Sequence, residues 1–109
     1  MYARKVSVQL KANSVAEFTL RMEKDVLPLL RKQKGFQDEI TCVAPGHKEA
    51  FGLSLWENKE SADAYSHEPY GEVTKFLTGL IEGTAHVESY EVSNSTFHNV
   101  ATAAATAKN

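Results

Sequence analysis

The spacing of apolar residues along this chain of 109 residues alternates between a period of two and a period of three to four. A period of two indicates a strand with one buried face, and the longer period indicates an amphipathic helix. The resulting order is β-α-β-β-α-β, which is typical of a ferredoxin-like α+β domain with a four-stranded antiparallel sheet and two helices on one face. The predicted elements are strands at 2–11, 36–44, 50–58 and 85–92, a helix at 15–34, and a second helical region at 61–83.

The predicted first helix has a signal at each end and an irregularity inside it. Ser14 followed by Glu17 fits a capping box, in which each side chain satisfies a backbone N–H of the first turn. Gly35 supplies the stop at the other end. Because Pro28 removes one helical hydrogen bond and crowds the preceding turn, it predicts either a kink or a helix end with a tighter last turn.

Prolines and glycines also divide the second half of the chain. Pro45 and Gly46 predict the turn of an antiparallel hairpin, with Gly46 at positive φ. Ser61 is the predicted N-cap of the second helical region. Pro69 interrupts that region because the residue before a proline is pushed out of the helical conformation. The part after Pro69 is predicted to end at Gly83, and its apolar stripe comprises Val73, Phe76, Leu77, Leu80 and Ile81.

Alternation in the third predicted strand separates its large side chains into two sets. Phe51, Leu53 and Leu55 share one face, and Trp56 lies on the other. With helices over one face, a tryptophan on the water-facing side exposes a large apolar ring. We therefore expect a second copy of the chain to cover it, giving a symmetric homodimer in which two sheets form a closed barrel. The alternative is a tryptophan at the rim, half-covered by Lys or Arg stems.

Composition excludes several classes of protein. Lys and Arg number 12 against 14 Asp and Glu, a net charge of −2, which argues against a nucleic-acid binder and against an anchor to anionic membranes. No apolar run approaches the roughly 20 residues that span a bilayer. Cys42 is the single cysteine, so an internal disulfide is excluded, and the expected location is a reducing cytoplasm.

The chain is expected to form one domain. Residues 1–93 make the ferredoxin-like unit, and no internal repeat or linker divides them. Residues 94–109 are interpreted as an extension of the last strand followed by an alanine-rich tail. That tail is either a floppy end or a short helix held by something else.

Three stretches resemble the antibiotic-biosynthesis-monooxygenase domains: RKQKGF (31–36), LSLWENKESADAY (53–65) and EPYGEVTKFL (68–77). The resemblance covers about residues 3–92. It implies the dimeric α/β barrel and a site between the sheet and the helices. The family includes cofactor-independent oxygenases acting on aromatic polyketides and quinols, haem-degrading enzymes, and many members with no known activity.

The chain also departs from that family pattern. Members often carry one histidine four residues before the proline and another just after it, where this chain has Tyr65 and Tyr70. The Asn, Trp and His of the haem-degrading members align with Lys5 (or Arg4), Tyr65 and Lys75. Because the haem-ligating histidine is absent, the resemblance implies no haem, and no cofactor is expected.

The predicted catalytic residues cluster where Pro69 breaks the second helical region. A histidine suits general-base work at neutral pH, which makes His67 the predicted base, and Tyr65 and Tyr70 can hold a substrate oxyanion by hydrogen bonding. The competing interpretation makes the tyrosines amphipathic rim residues and His67 a solvated side chain.

Three further residues are candidates for binding the substrate. Trp56 and Phe76 offer aromatic surface, and Arg4 offers a cation for an anionic group. The competing interpretations make Trp56 dimer core and Arg4 a solubilising strand residue. No metal site is predicted, because the four histidines form no HxH, HExxH or HxxxH pair.

The leading functional hypothesis is a cofactor-independent monooxygenase acting on a small aromatic or quinol. A non-catalytic dimeric module that binds a small hydrophobic ligand is the alternative, favoured by the missing histidine pair. A dimer that has lost any activity is the third hypothesis. The architecture does not separate them, because function depends on the site rather than on the fold.

Overall fold

The computed structural model describes residues 1–96. The alanine-rich tail and most of the predicted strand extension, residues 97–109, lie outside the described residues. The last described strand ends at Glu91, so the extension does not begin within residues 92–96. The elements are β1 Tyr2–Leu10, α1 Val15–Arg21, a π-helical turn Met22–Val26, α2 Leu27–Arg31, β2 Phe36–Val43, β3 Glu49–Trp56, α3 Lys59–His67, α4 Pro69–Leu77 and β4 Ile81–Glu91.

The four strands form one antiparallel sheet in the order β2-β3-β1-β4, which confirms the ferredoxin-like α+β prediction. Directly paired residues place their side chains on the same face of an antiparallel sheet. Arg4 pairs with Ser54, and Ser54 pairs with Glu39. These three residues therefore form a row across β1, β3 and β2, on the face that the helices cover.

Pro28 does not break the first helix, but it changes the turn before it. The backbone widens into the π-helical turn, where the Leu27 N–H bonds to the Met22 carbonyl five residues back. Pro28 then occupies the first turn of α2, a position that needs no N–H donor. In an α-helix, side chains four residues apart point in directions that differ by about 40°. The π-helical turn has more residues per turn and offsets this rotation, so side chains four apart stay on the buried side of the segment: Phe18, Met22, Val26 and Leu30.

Two predicted local features of the first half are wrong. The Ser14 hydroxyl makes no capping bond with the helix; it donates to the Lys11 carbonyl at 2.6 Å and contacts the Leu80 carbonyl at 3.4 Å. Ser14 therefore ties the end of β1 to the segment before β4. In the hairpin, His47 adopts φ of 61°, so the left-handed position falls one residue after Gly46.

The second helical region also begins and ends differently from the prediction. Asn58 is the N-cap, because its side chain accepts the Ser61 N–H at 2.9 Å. The break at Pro69 is confirmed: α3 ends at His67 and α4 begins at Pro69. Helix α4 ends before Gly83, and Ile81 begins β4 instead of continuing the helical stripe.

The predicted faces of β3 are inverted. In β2 a bulge at Gln37 exchanges the two faces, because Phe36 pairs with Trp56 whereas Asp38 pairs with Leu55. Trp56 faces the helices and is fully buried, with the Phe36 ring edge-on at 5.5 Å. Phe51, Leu53 and Leu55 lie on the opposite, helix-free face. Trp56 therefore belongs to the core of the single chain and needs no second copy to cover it.

Gly35 lies where the first helical segment turns into β2, with φ of 82°. A β-carbon at Gly35 would overlap the Ser61 side chain at the start of α3. Both the left-handed backbone and the close approach therefore require glycine.

We expect Gly35→Ala to lower the free energy of unfolding by more than about 1 kcal/mol, because alanine is strained at positive φ and also meets Ser61. Urea unfolding followed by circular dichroism measures the change. Gly46→Ala is the matched control, since a β-carbon there meets nothing and φ is not positive. Equal effects of the two substitutions would contradict this explanation.

Candidate functional site

A cavity of about 400 Å³ lies between the helix-covered face of the sheet and the helices. This volume is in the range of small-molecule sites, which are mostly apolar with a few converging polar groups. Its helical wall is mostly apolar and includes Phe18, Met22, Val26, Leu30, Val73 and Leu77. Its polar side chains are Arg4, Glu39, Thr41 and Ser54 on the sheet, Tyr65 and Tyr70 at the junction of α3 with α4, and Thr74, Thr78 and Thr84.

Arg4 places a positive charge against this cavity although the residue is only 5% exposed. Its guanidinium carbon lies 4.2 Å from the Tyr70 ring centroid and 5.4 Å from the Tyr65 centroid. Within residues 1–96, no carboxylate forms an ion pair with it. Aromatic faces attract the cation but leave its N–H groups able to donate in the guanidinium plane. An anionic or electron-rich oxygen is the matching ligand group.

Glu39 supplies a carboxylate at the other end of the same row of residues. A β-carbon on Gly52 would lie 2.8 Å from Glu39 Oε2, so the missing side chain of Gly52 leaves room for the carboxylate. The Thr41 hydroxyl is 2.8 Å and 3.0 Å from the two carboxylate oxygens. Burial raises the pKa of Glu39; the Thr41 hydrogen bond opposes this effect, and the nearby Asp38 charge adds to it.

Tyr65 is held by a stack of buried groups. Its ring centroid lies 5.0 Å from that of Trp56, and the Trp56 indole N–H donates to the Ser54 hydroxyl at 2.9 Å. Ser54 in turn donates to the Arg4 carbonyl at 3.2 Å. Burial raises the pKa of the Tyr65 phenol, an effect that the Arg4 charge opposes. Tyr65 therefore remains a neutral hydrogen-bond donor at physiological pH.

The structure brings together only some of the residues singled out from the sequence. Tyr65, Tyr70 and Arg4 line the cavity together. His67, the predicted base, is exposed at the end of α3 and is absent from the cavity lining. Trp56 supports Tyr65 from behind, and Phe76 is half-buried on α4; neither lines the cavity.

Sequence reasoning missed Glu39 and Thr41. By strict alternation, Ile40 and Cys42 of β2 would share the helix-covered face with Phe36, which packs against the core. The bulge beside Gln37 gives that face to Glu39 and Thr41 instead. The available signal was the polar Asp38 at a position predicted to be apolar, since a charge in the middle of an inward-facing row often marks a register change.

The part of the chain that the structure describes contains neither a cluster of metal ligands nor a membrane-spanning helix. No three His, Cys, Asp or Glu side chains converge as metal ligands would within residues 1–96. None of the described helices combines the length and apolar character needed to cross a bilayer.

The sheet order, the helices packed on one face of the sheet and the cavity between sheet and helices are those of the antibiotic-biosynthesis-monooxygenase fold. Solved structures with this fold superpose on most of the chain. SnoaB, a cofactor-independent oxygenase from Streptomyces nogalater, has a TM-score of 0.72 and 11% identity over 88% of this chain and 96% of its own. A candidate antibiotic biosynthesis monooxygenase from Nitrosomonas europaea gives 0.71 and 12% identity, over 85% and 99%.

A mutant of MhuD bound to two manganese protoporphyrin IX molecules is also similar, with a TM-score of 0.71 and 17% identity over 88% of this chain and 98% of that one. No protein-family model matches the sequence. No curated protein matches it either. Sequence identities this low support the shared fold and leave activity to be argued from the site.

Glu39→Gln is expected to change how stability depends on pH. A carboxyl whose pKa is raised on folding binds its proton more tightly in the native state, so wild-type stability falls as pH rises above the ordinary glutamate range. The variant lacks this loss and should be more stable than wild type at neutral pH but not at acidic pH. Urea unfolding across pH values measures the difference.

The control for this measurement is Glu23→Gln, which removes one negative charge from the exposed side of the π-helical turn. If Glu39→Gln and Glu23→Gln give parallel pH curves, the burial of the Glu39 carboxylate has no thermodynamic consequence.

Proposed function

We propose that the chain is a cofactor-independent monooxygenase that oxidises a small phenol or quinol in the cavity between sheet and helices. The observation that carries this proposal is the buried Arg4 cation, flanked by Tyr65 and Tyr70, in a mostly apolar cavity. Such a cavity accepts an aromatic ring and stabilises negative charge on an oxygen attached to it.

The chemistry needs an electron-rich substrate anion rather than a bound redox group. A deprotonated phenol can transfer an electron to O₂, and recombination of the two radicals gives a ring hydroperoxide. Its O–O bond then breaks with loss of water, which leaves one oxygen atom on the ring. A phenol and O₂ thereby give a quinone and water, with all four electrons coming from the substrate. Arg4 and the neutral Tyr65 phenol would stabilise the oxyanion in a site of low dielectric constant, where such interactions are strongest.

Two of the similar structures bear on the oxygenase proposal. SnoaB, a cofactor-independent oxygenase with the same fold, supports it. Among residues 1–96, no histidine or cysteine lines the cavity to ligate a metalloporphyrin, so the proposal does not extend to the porphyrin binding of MhuD.

The second candidate function is a dimeric module that binds a small hydrophobic ligand without turnover. The exposed position of His67, away from the cavity, favours it, because the base predicted from the sequence does not reach a ligand there. Both functions require the same cavity, and they differ only in whether O₂ is consumed.

An oxygen electrode with a panel of phenols and quinols separates these functions. We expect Arg4→Met and Tyr65→Phe each to lower the rate of oxygen uptake at least about a hundredfold, the lower end of the effect of removing one oxyanion-stabilising donor. Tyr90→Phe, on an exposed side chain outside the cavity, is the control. Tight binding without oxygen uptake would favour the binding module; unchanged rates in both cavity variants would place the chemistry elsewhere.

We further propose that two copies of the chain associate through the helix-free face of the sheet. On that face Ile40 is 57% exposed and lies directly opposite Leu53, and Cys42 lies opposite Phe51. Large apolar side chains in contiguous rows are unusual on a monomer's water-facing sheet. A two-fold axis through this face would bury them against each other and give the expected barrel-like homodimer.

The mass of the assembly in solution tests this association. We expect wild-type protein to sediment as a dimer and Leu53→Glu to sediment as a monomer, because the substitution places charges in the centre of the interface. Leu20→Glu, a change at an exposed leucine of α1, is the control and should leave the dimer intact. A wild-type monomer would refute the proposal.

A further inference from the structure

The carboxylate of Glu39 is the one acidic group among the cavity-lining residues within the described chain. The oxygenase chemistry outlined above requires a group that takes the substrate's hydroxyl proton, and His67 does not reach the cavity. Glu39 lies on the same face of the sheet as Arg4, two strands away.

The geometry of this row fits a ring between its two charged ends. Adjacent strands are about 4.8 Å apart, so the backbones of Arg4 and Glu39 are separated by roughly 10 Å. Between them lies Ser54, whose hydroxyl is already engaged with the Trp56 indole and the Arg4 carbonyl. Gly52, on the same face of β3, leaves its space to the Glu39 carboxylate, which lies over it. The open part of the cavity between this carboxylate and the Arg4 guanidinium can take an aromatic ring with one oxygen towards each charge.

We propose that Glu39 accepts the proton of an aromatic hydroxyl while Arg4 stabilises the negative charge that spreads to an oxygen across the ring. The hydroxyl O–H bond breaks, its electron pair stays on the ligand oxygen, and the proton moves to a Glu39 carboxylate oxygen. No electron transfer occurs in this step. The ligand class is a phenol, quinol or hydroxyquinone with a second oxygen opposite its acidic hydroxyl. The inference rests on the proposed function and adds its proton acceptor.

The surroundings of Glu39 suit this role. Thr41 holds both carboxylate oxygens at hydrogen-bonding distance and fixes the side chain over Gly52. Partial burial makes the carboxylate a stronger base than one in water. The charged and titratable groups acting on it or sharing its cavity are Asp38 on its own strand, Arg4 on β1, Tyr65 on α3 and Tyr70 on α4.

The test uses para-nitrophenol, whose ionised form absorbs visible light and whose nitro oxygens lie across the ring from the hydroxyl. It is added to the full chain at a pH where the free probe is mostly neutral. We expect wild-type protein to produce the phenolate band without releasing a proton to the solvent, because Glu39 keeps that proton. Proton release is followed by calorimetry in buffers of different ionisation enthalpy.

Two variants separate the two ends of the site. Glu39→Gln should lower the phenolate band about tenfold or more and leave ionisation to proceed only by proton release at higher pH. Arg4→Met should still bind the probe, but in its neutral form. A Glu39→Gln variant that keeps the wild-type band without proton release, or wild-type protein that leaves the probe neutral or unbound, would overturn the inference.

A second pair of variants tests the position of the carboxylate while keeping every charge. In Gly52→Ala the new β-carbon would lie 2.8 Å from Glu39 Oε2, so the carboxylate must shift. The phenolate band should weaken in this variant, whereas Gly46→Ala, in an open turn, should leave it unchanged. Circular dichroism establishes that both variants fold. Equal bands in the two variants would show that the position of the carboxylate is irrelevant.

This experiment can fail independently of the oxygenase proposal. A strong phenolate band with no oxygen uptake on any phenol would retain Glu39 as the proton acceptor and refute the monooxygenase. Oxygen uptake that persists at the wild-type rate in Glu39→Gln would retain the monooxygenase and refute this role of Glu39.

Discussion

The site depends on the burial of Trp56 between the sheet and α3. Its indole is fully buried, packs against Tyr65 and meets the edge of Phe36. An indole removed from water needs a partner for its N–H, and the Ser54 hydroxyl provides it. This contact fixes the position of Tyr65, and Tyr65 together with Tyr70 fixes the position of the Arg4 guanidinium. The arrangement of the cavity's polar end therefore starts from one packed aromatic residue.

The cavity combines two groups that are unfavourable to bury without a direct partner. Arg4 is buried against aromatic faces without a carboxylate partner among the described residues, and Glu39 is held by a single hydroxyl. A fold selected only for stability would pair these charges or replace them with apolar side chains. Their separation by the middle strand keeps both available to a ligand, which is the usual compromise between stability and function at a binding site.

The sequence predicted the order of elements and the antiparallel hairpin, because hydrophobic periodicity and turn residues act locally. It also predicted the break at Pro69 and the grouping of Tyr65 with Tyr70, since both follow from the chemistry of one proline. It failed at the faces of β2 and β3. In β2 a bulge at Gln37 exchanges the two faces, and in β3 the regular pairing with β1 places Trp56 on the helix-covered face; alternation along one strand does not show which of its faces the helices cover.

Local sequence by itself thus determined the ferredoxin-like class, the α3–α4 junction and two tyrosines of the candidate site. Only the tertiary structure decided that Trp56 lies under the helices and that His67 lies outside the cavity. It also decided that Glu39 and Arg4 lie on the same face of the sheet, on strands two apart, and line the same cavity. The physical reason is that these placements depend on pairing between segments distant in sequence. The register of β3 against β1 and β2 brings Arg4, Ser54 and Glu39 into one row, although 50 residues separate Arg4 from Ser54.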